Sequence, residues 1–181
     1  IGKKFIGDSN VALILGDNFF YGQSLTKKLN QCVKLKNGAS VILHPVGSAS
    51  SYGVATIDKK NRIKKIVEKP KKYISNLAVT GLYFFDNKVI KYSENLKPSK
   101  RKEIEIVDLL NNYRKKNKLT AEFLGRGAAW LDTGSIKDFY DASAFVAALE
   151  NRQGLKIACL EEIALKNNWI KRENILHAIR F

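Results

Sequence analysis

Val11-Ala-Leu-Ile-Leu-Gly-Asp-Asn-Phe-Phe-Tyr-Gly22 begins with an apolar run, Val11 to Leu15, and then turns on Gly16, Asp17 and Asn18. A short continuous apolar run bounded by turn residues reads as a strand buried on both faces, in the middle of a parallel sheet. In an open α/β sheet, ligands bind beyond the carboxyl ends of the strands. Asp17 therefore stands where a ligand or metal would sit, and Gly16 lets the backbone turn without a Cβ penalty. An ordinary Gly-Asp turn explains the same residues. A second element far downstream, Trp130-Leu-Asp-Thr-Gly134, adds Asp132 after another apolar stretch.

Outward from this run, the chain alternates helical and extended patterns. Ile1–Asn10 reads as the end of a helix and a turn. Ser24–Lys36 places Leu25, Leu29, Cys32 and Val33 on one helical face, with Gly38 as its cap. Ala39–His44, Tyr52–Ile57, Arg62–Glu68 and Leu77–Phe85 read as strands, with a hairpin turn at Asp58–Asn61. Asn87–Ser93 and Glu105–Lys116 read as helices, and Thr120–Leu124 and Trp130–Asp132 as strands. Ser135-x-x-Asp138 is a capping box opening a helix with Ile136, Phe139, Tyr140, Val146 and Leu149 on one side. Two short helices follow, near 161–167 and 172–179. The reading is α/β: one domain over residues 1–181, with 160–181 as a C-terminal helical tail.

Composition narrows the function. The chain has 181 residues, 45% of them hydrophobic, and no apolar run long enough to span a membrane. Its formal charge is +15. The lysines are spread along the chain, and no zinc-finger, helix-turn-helix or RNP-like signature accompanies them, so nucleic-acid binding is not read as the function. Cys32 and Cys159 are far apart and fit free thiols in a reducing, cytoplasmic setting. The chain opens on Ile1 and has no Met, which leads to the expectation of a trimmed segment.

The residues able to carry chemistry are few. Asp17 and Asp132, converging from different strands, make a hard-cation site suited to Mg²⁺, which is commonly held by one or two carboxylates plus substrate phosphates. Asp132 could equally cap the following helix. Glu68 and Lys69, before Pro70, pair a sugar-hydroxyl acceptor with a phosphate-seeking ammonium, or form a solvated edge pair. Arg101 lies in the basic loop Lys97–Lys102, and its planar fork suits phosphate, although a mobile surface loop would look the same. Tyr52-Gly53 sets an aromatic ring beside backbone that a ligand can approach closely. His44 and His177 are isolated.

Leu15-Gly-Asp-Asn18, Tyr52-Gly-Val54, Glu68-Lys-Pro70, Val79-Thr-Gly-Leu-Tyr83 and Trp130-Leu-Asp-Thr-Gly134 follow the order found in sugar nucleotidyltransferases. Leu149-Glu-Asn-Arg-Gln-Gly-Leu155 and Cys159-x-Glu-Glu-Ile163 narrow the resemblance to the glucose-1-phosphate thymidylyltransferases of bacterial rhamnose synthesis. It runs from Ile1 to Trp169.

The resemblance implies a Rossmann-like mixed sheet flanked by helices, with C-terminal helices. The implied reaction joins glucose 1-phosphate to dTTP, giving dTDP-glucose and pyrophosphate, in a homotetramer that binds neither nucleic acid nor membrane. It further implies Mg²⁺ on Asp17 and Asp132, Asn18 by the nucleotide sugar, and Tyr52, Gly53, Glu68 and Val79 around the glucose. Lys69 and Arg101 would hold the sugar phosphate. A regulatory nucleotide site would use Tyr21, Gly22, Arg126 and Glu162, with Thr26 where relatives often carry His. The family's first strand, its Gly-rich phosphate loop with Arg, its catalytic Lys and its thymine-reading residues would precede Ile1. The sequence as it stands is therefore expected to be inactive alone. The alternatives are a nucleotidyltransferase for another base or sugar 1-phosphate, and a non-catalytic sugar-nucleotide-binding remnant.

Overall fold

The computed structural model describes residues 2–178. Their contacts group into two compact units divided between Thr133 and Gly134, each described by itself. No helix among the described residues is long and apolar enough to cross a membrane.

The first unit is built on β6 (Leu77–Phe85), whose nine residues are buried almost throughout. Alternation along β6 explains this. Val79, Tyr83 and Phe85 face one apolar cluster with Val107, Leu110 and Tyr113, while Ala78, Leu82 and Phe84 face another with Cys32, Ile42 and Trp130. A strand covered on both faces needs apolar residues at every position, and each fully buried aliphatic side chain is worth about 1.5–3 kcal/mol.

Along one edge, β6 pairs antiparallel with β3 (Ala39–Pro45), and β3 pairs in parallel with β7 (Leu119–Phe123). The other edge is shared by two strands placed end to end. β1 (Val11–Ile14) covers Leu82 to Phe85, and β4 (Gly53–Ile57) meets Leu77 and Ala78. β4 then pairs with β5 (Ile63–Glu68) across the hairpin expected at Asp58–Asn61. The result is a mixed six-stranded sheet, in line with the expected fold class.

Helices α2 (Leu25–Val33), α3 (Val89–Glu94) and α4 (Ile106–Lys115) belong to this unit, as does the single turn α1 (Lys3–Ile6). Helix α4 buries Val107, Leu109, Leu110 and Tyr113. In α2, Cys32 is buried but Val33 is exposed, so the apolar face is narrower than the sequence suggested. Asp86, which the sequence did not single out, is a buried anchor behind β6. It accepts hydrogen bonds from Gly38 N (2.7 Å), Tyr113 OH (2.8 Å) and Lys88 N (3.1 Å).

Two expectations about the opening run are corrected. β1 is antiparallel to β6, pairs with no other strand among the described residues, and leaves Leu13, Ile14 and Leu15 exposed, Ile14 at 57%. An apolar run reports hydrophobicity, not how many neighbours the strand has. The turn at Gly16-Asp17 also leads directly into a strand that the sequence reading lacked, β2 (Asn18–Tyr21). It forms a two-stranded antiparallel ribbon with β8 (Ala129–Asp132).

The second unit holds α5 (Ile136–Gln153), α6 (Leu160–Lys166) and α7 (Arg172–Ala178). The capping box is formed: Ser135 Oγ accepts the Asp138 N–H at 3.1 Å. Gly154, in the left-handed region at φ 68°, ends the helix by donating its N–H to Glu150 O. Residue 179, the last of the expected final helix, lies outside the described residues.

Candidate active site

Between the two strands that share its edge, β6 has a notch. Leu15 N still bonds Gly81 O at 2.9 Å, and β4 is reached only at Ala78. The side chain of Asn18 fills the space opposite Gly81. Its Oδ1 accepts from Gly81 N at 3.1 Å and from Trp130 Nε1 at 2.6 Å, and its Nδ2 donates to Asp17 Oδ1 at 2.8 Å. Gly81 has to be glycine for this. A Cβ there would stand 2.6 Å from Asn18 Cγ.

The ribbon register sets Asn18 opposite Asp132, and Asp17 O accepts from Thr133 N (2.7 Å) and Thr133 Oγ1 (2.9 Å). Asp17 and Asp132 therefore lie at the same end of the ribbon in diagonal register, Asp17 beside Thr133 and Asp132 beside Asn18. Asp17 is exposed and Asp132 half-buried. Among the described residues no group of three or more His, Cys, Asp or Glu could enclose a metal. A pair of carboxylates is nonetheless the donor type Mg²⁺ uses, with its remaining ligands taken from water and phosphate.

The other side of the notch belongs to β4 and β5. Gly53 pairs with Glu68, and a Cβ on Gly53 would meet Val107 Cγ2, Glu68 Oε2 and Val79 Cβ at 2.9, 3.3 and 3.6 Å. Burial pushes the Glu68 carboxyl above its ordinary range, and neighbouring Glu105 pushes it further, against the pull of Lys69 and Arg101. The Tyr83 phenol is raised by burial and, after that, by the charges of Glu68 and Asp17. Tyr83 thus lies within electrostatic reach of both acidic groups.

Lys69 adopts a positive φ of 40° and donates its backbone N–H to Tyr52 O at 3.0 Å, leaving an exposed side chain. Tyr52 packs edge-on against Trp130 at 4.9 Å. Arg101 touches Glu103 at 2.7 Å and reaches Glu68 and Glu105 at 3.7 Å each. Glu68 and Arg101 line one open pocket of about 320 Å³ with Glu105 and Asn111. Tyr52, Gly53 and Lys69 were expected on the same cavity but are not among its walls. Gly53 carries no side chain to present there, and Tyr52 turns toward Trp130.

At the far end of the ribbon, Tyr21 pairs with Ala129, and Gly22 approaches Ala128 so closely that a Cβ would lie 2.9 Å from the Ala128 Cα. Arg126 is exposed in the loop just before. Three of the four residues expected at a regulatory site thus gather at one ribbon end, opposite the carboxylates. The fourth, Glu162, is on α6 in the second unit. Sequence reasoning missed Trp130 and Gly81. The signal available was that each sits inside a quoted motif, two residues from one already chosen, Asp132 and Val79.

Comparison with known proteins places the chain among its relatives. The chain is 46% identical over 175 residues to the glucose-1-phosphate thymidylyltransferase of Neisseria meningitidis, covering 97% of this chain and 61% of that one. It is 42% identical over 180 residues to that of Mycobacterium tuberculosis, covering 99% and 62%. The chain thus spans about three-fifths of the length of these curated relatives. Among solved structures, it resembles a Bacillus anthracis protein assigned as a glucose-1-phosphate thymidylyltransferase and crystallised with sucrose. The TM-score is 0.71 at 37% identity, over 80% of this chain and 57% of that one. A UDP-glucose pyrophosphorylase with UDP-glucose bound gives 0.71 at 28% identity, over 80% and 58%. Residues 1–148 match the nucleotidyl transferase family, and the chain belongs to that family.

Proposed function

We propose that the protein containing this chain is a cytoplasmic glucose-1-phosphate thymidylyltransferase that supplies dTDP-glucose for dTDP-rhamnose synthesis and works as a homotetramer. The observation that carries the reading is the notch beside Gly81, where the Asp17–Asp132 ribbon end and the Gly53–Glu68 pair flank one stretch of β6. Sequence identity of 42–46% to relatives of that name supports the choice of substrates.

In the proposed reaction a phosphate oxygen of glucose 1-phosphate attacks the α-phosphorus of dTTP in line. The new P–O bond forms as the bond to pyrophosphate breaks, and the leaving group takes its electron pair. Bound Mg²⁺ would draw off phosphate charge from its place on Asp17 and Asp132. Glu68, Val79, Tyr52 and the bare backbone of Gly53 would line the glucose. Glu68 suits a hydroxyl partner, because a half-buried carboxyl with a raised pKa gains from donors. Lys69 would meet the sugar phosphate, and Arg101 would exchange part of its hold on Glu103 for phosphate. Asn18 would border the nucleotide sugar with its remaining amide hydrogen. Tyr21, Gly22 and Arg126 would contribute to a regulatory site. Catalysis of this kind is positioning plus charge stabilisation.

The test is pyrophosphate release from glucose 1-phosphate, Mg²⁺ and each nucleoside triphosphate, using the complete reading frame that contains residues 1–181. Preference for dTTP is expected. Preference for UTP would favour the uridylyl reading, which the likeness to UDP-glucose pyrophosphorylase keeps open. No release with any triphosphate would favour a non-catalytic binder. Residues 1–181 alone contain no Gly-rich triphosphate loop, and assayed side by side they are expected to release none. Light scattering of the complete protein tests the tetramer.

A further inference from the structure

We infer that Trp130 and Gly81 are positioning residues for the cation, acting through Asn18 on the carboxylate of Asp17. The inference rests on the proposed metal role of Asp17. A carboxamide oxygen has two lone-pair directions, and both are used here, by Trp130 Nε1 at 2.6 Å and Gly81 N at 3.1 Å. Rotating the amide by half a turn would set its NH₂ against two N–H donors. The orientation is therefore fixed by its neighbours, and Nδ2 has to face Asp17 Oδ1, which it meets at 2.8 Å.

The two donors are themselves buried. Trp130 is buried, with Tyr52 edge-on at 4.9 Å and His44 at 6.4 Å. Gly81 is buried main chain inside β6, in the gap between β1 and β4, so its N–H is free for a side-chain acceptor. The backbone of Asp17 is held separately by the two bonds from Thr133 to its carbonyl. With main chain and one carboxylate oxygen both tied, the carboxylate is presented in a single orientation. Such outer partners commonly change metal affinity about tenfold or more when removed. Trp130→Phe keeps the ring and removes the N–H. Gly81→Ala keeps the N–H and forces Asn18 aside, because its Cβ would be within 2.7 Å of three Asn18 side-chain atoms. The two substitutions change different elements, β8 and β6, and meet at the Asn18 carboxamide.

The experiment titrates the complete protein with Mn²⁺ alone, reading free ion by electron paramagnetic resonance, beside thermal unfolding of each variant. The expected result is that Trp130→Phe and Gly81→Ala each weaken Mn²⁺ about tenfold while remaining folded. Unchanged affinity in both, or loss in only one, overturns the inference. If either variant fails to fold, Asn18→Ser decides: a loss of similar size supports the route, and unchanged affinity overturns it. Asp17→Ala separates the two readings. If it binds Mn²⁺ like the parent protein, the metal role itself is wrong. If it loses Mn²⁺ while the other variants do not, only the positioning role is wrong.

Discussion

Gly53 on β4 faces Glu68 on β5 in register, with so little space between that a Cβ on Gly53 would lie 3.3 Å from Glu68 Oε2. The same Cβ would be 2.9 Å from Val107 Cγ2 in the buried first turn of α4. Gly53→Ala is thus expected to push α4 away from the sheet, costing about 1–3 kcal/mol as overpacking does. Urea unfolding gives the number. A cost near zero would show that α4 yields without strain.

Glu68 should leave a signature in stability against pH. Its folded carboxyl is raised above the ordinary 4.5, by burial first and Glu105 second. The folded protein therefore holds this proton more tightly than the unfolded chain. The associated stability is fully present below the unfolded value and is lost as pH rises through the folded one. Glu68→Gln cannot ionise and should lack this decline. Melting temperatures of the two proteins, compared from the ordinary carboxylate range up to neutrality, should converge at the acid end and separate as pH rises.

The Asp86 anchor gives a prediction away from the site. Tyr113 OH donates to Asp86 Oδ1 at 2.8 Å in the core, and burial, followed by this bond, raises the phenol so that it stays a donor. Tyr113→Phe leaves a buried carboxylate oxygen short of a donor, a loss of about 1–3 kcal/mol. Activity per folded molecule should be unchanged, because Asp86 binds Gly38 and Lys88 beyond the end of β6, whereas Asn18 beside Asp17 bonds Gly81 within that strand. A change in substrate KM would mean the anchor reaches the site.

The sequence spoke clearly where a local pattern decides the structure. Strand β6 coincides with Leu77–Phe85, the hairpin with Asp58–Asn61, and the Ser135–Asp138 box with the start of α5. It misled where neighbours decide. Val11–Leu15 carries the same apolar signal whether covered or exposed, so its antiparallel pairing and its exposed face were invisible. Phe19-Phe20-Tyr21 has no alternation, and β2 exists because β8, over a hundred residues away, pairs with it. Of the candidate site, the residue types were legible and the partners were not. Glu103 and Glu105 stand two and four residues from Arg101, but nothing in the sequence reveals that Glu68, over thirty residues away, shares the same guanidinium. The exposed Ile136, at 92%, shows the same limit in the second unit: helical periodicity finds a face, and packing decides whether it is covered.

The two thiols should differ in reactivity. Burial raises the Cys32 thiol and shields it inside the cluster with Ile42 and Trp130, whereas Cys159 is partly exposed at the start of α6. A thiol reagent at neutral pH should modify Cys159 quickly in the native protein and Cys32 only after denaturation. Mass mapping of the labelled peptides distinguishes them, and rapid labelling of Cys32 would mean that α2 opens readily.

Lys69 is the sharpest test of the sugar-phosphate assignment. Its backbone is held by the bond to Tyr52 O and its positive φ, so the conformation belongs to the main chain and not to the ammonium. Lys69→Ala should therefore keep the fold, with a stability change within about 0.5 kcal/mol, as for other exposed side chains. A charged hydrogen bond is worth about 1.5–3 kcal/mol, and each 1.4 kcal/mol is tenfold in rate or affinity. If Lys69 meets the sugar phosphate, kcat/KM for glucose 1-phosphate should fall about ten- to a hundredfold, with the KM for dTTP little changed. Lys72→Ala, in the same exposed stretch, serves as the control for loss of general positive charge. A second consequence follows from Glu68. Lys69 is one of the two cations that oppose its protonation, so removing it should move the acid limb of the pH–rate profile to higher pH. A normal constant for glucose 1-phosphate together with an unmoved acid limb would remove Lys69 from the site.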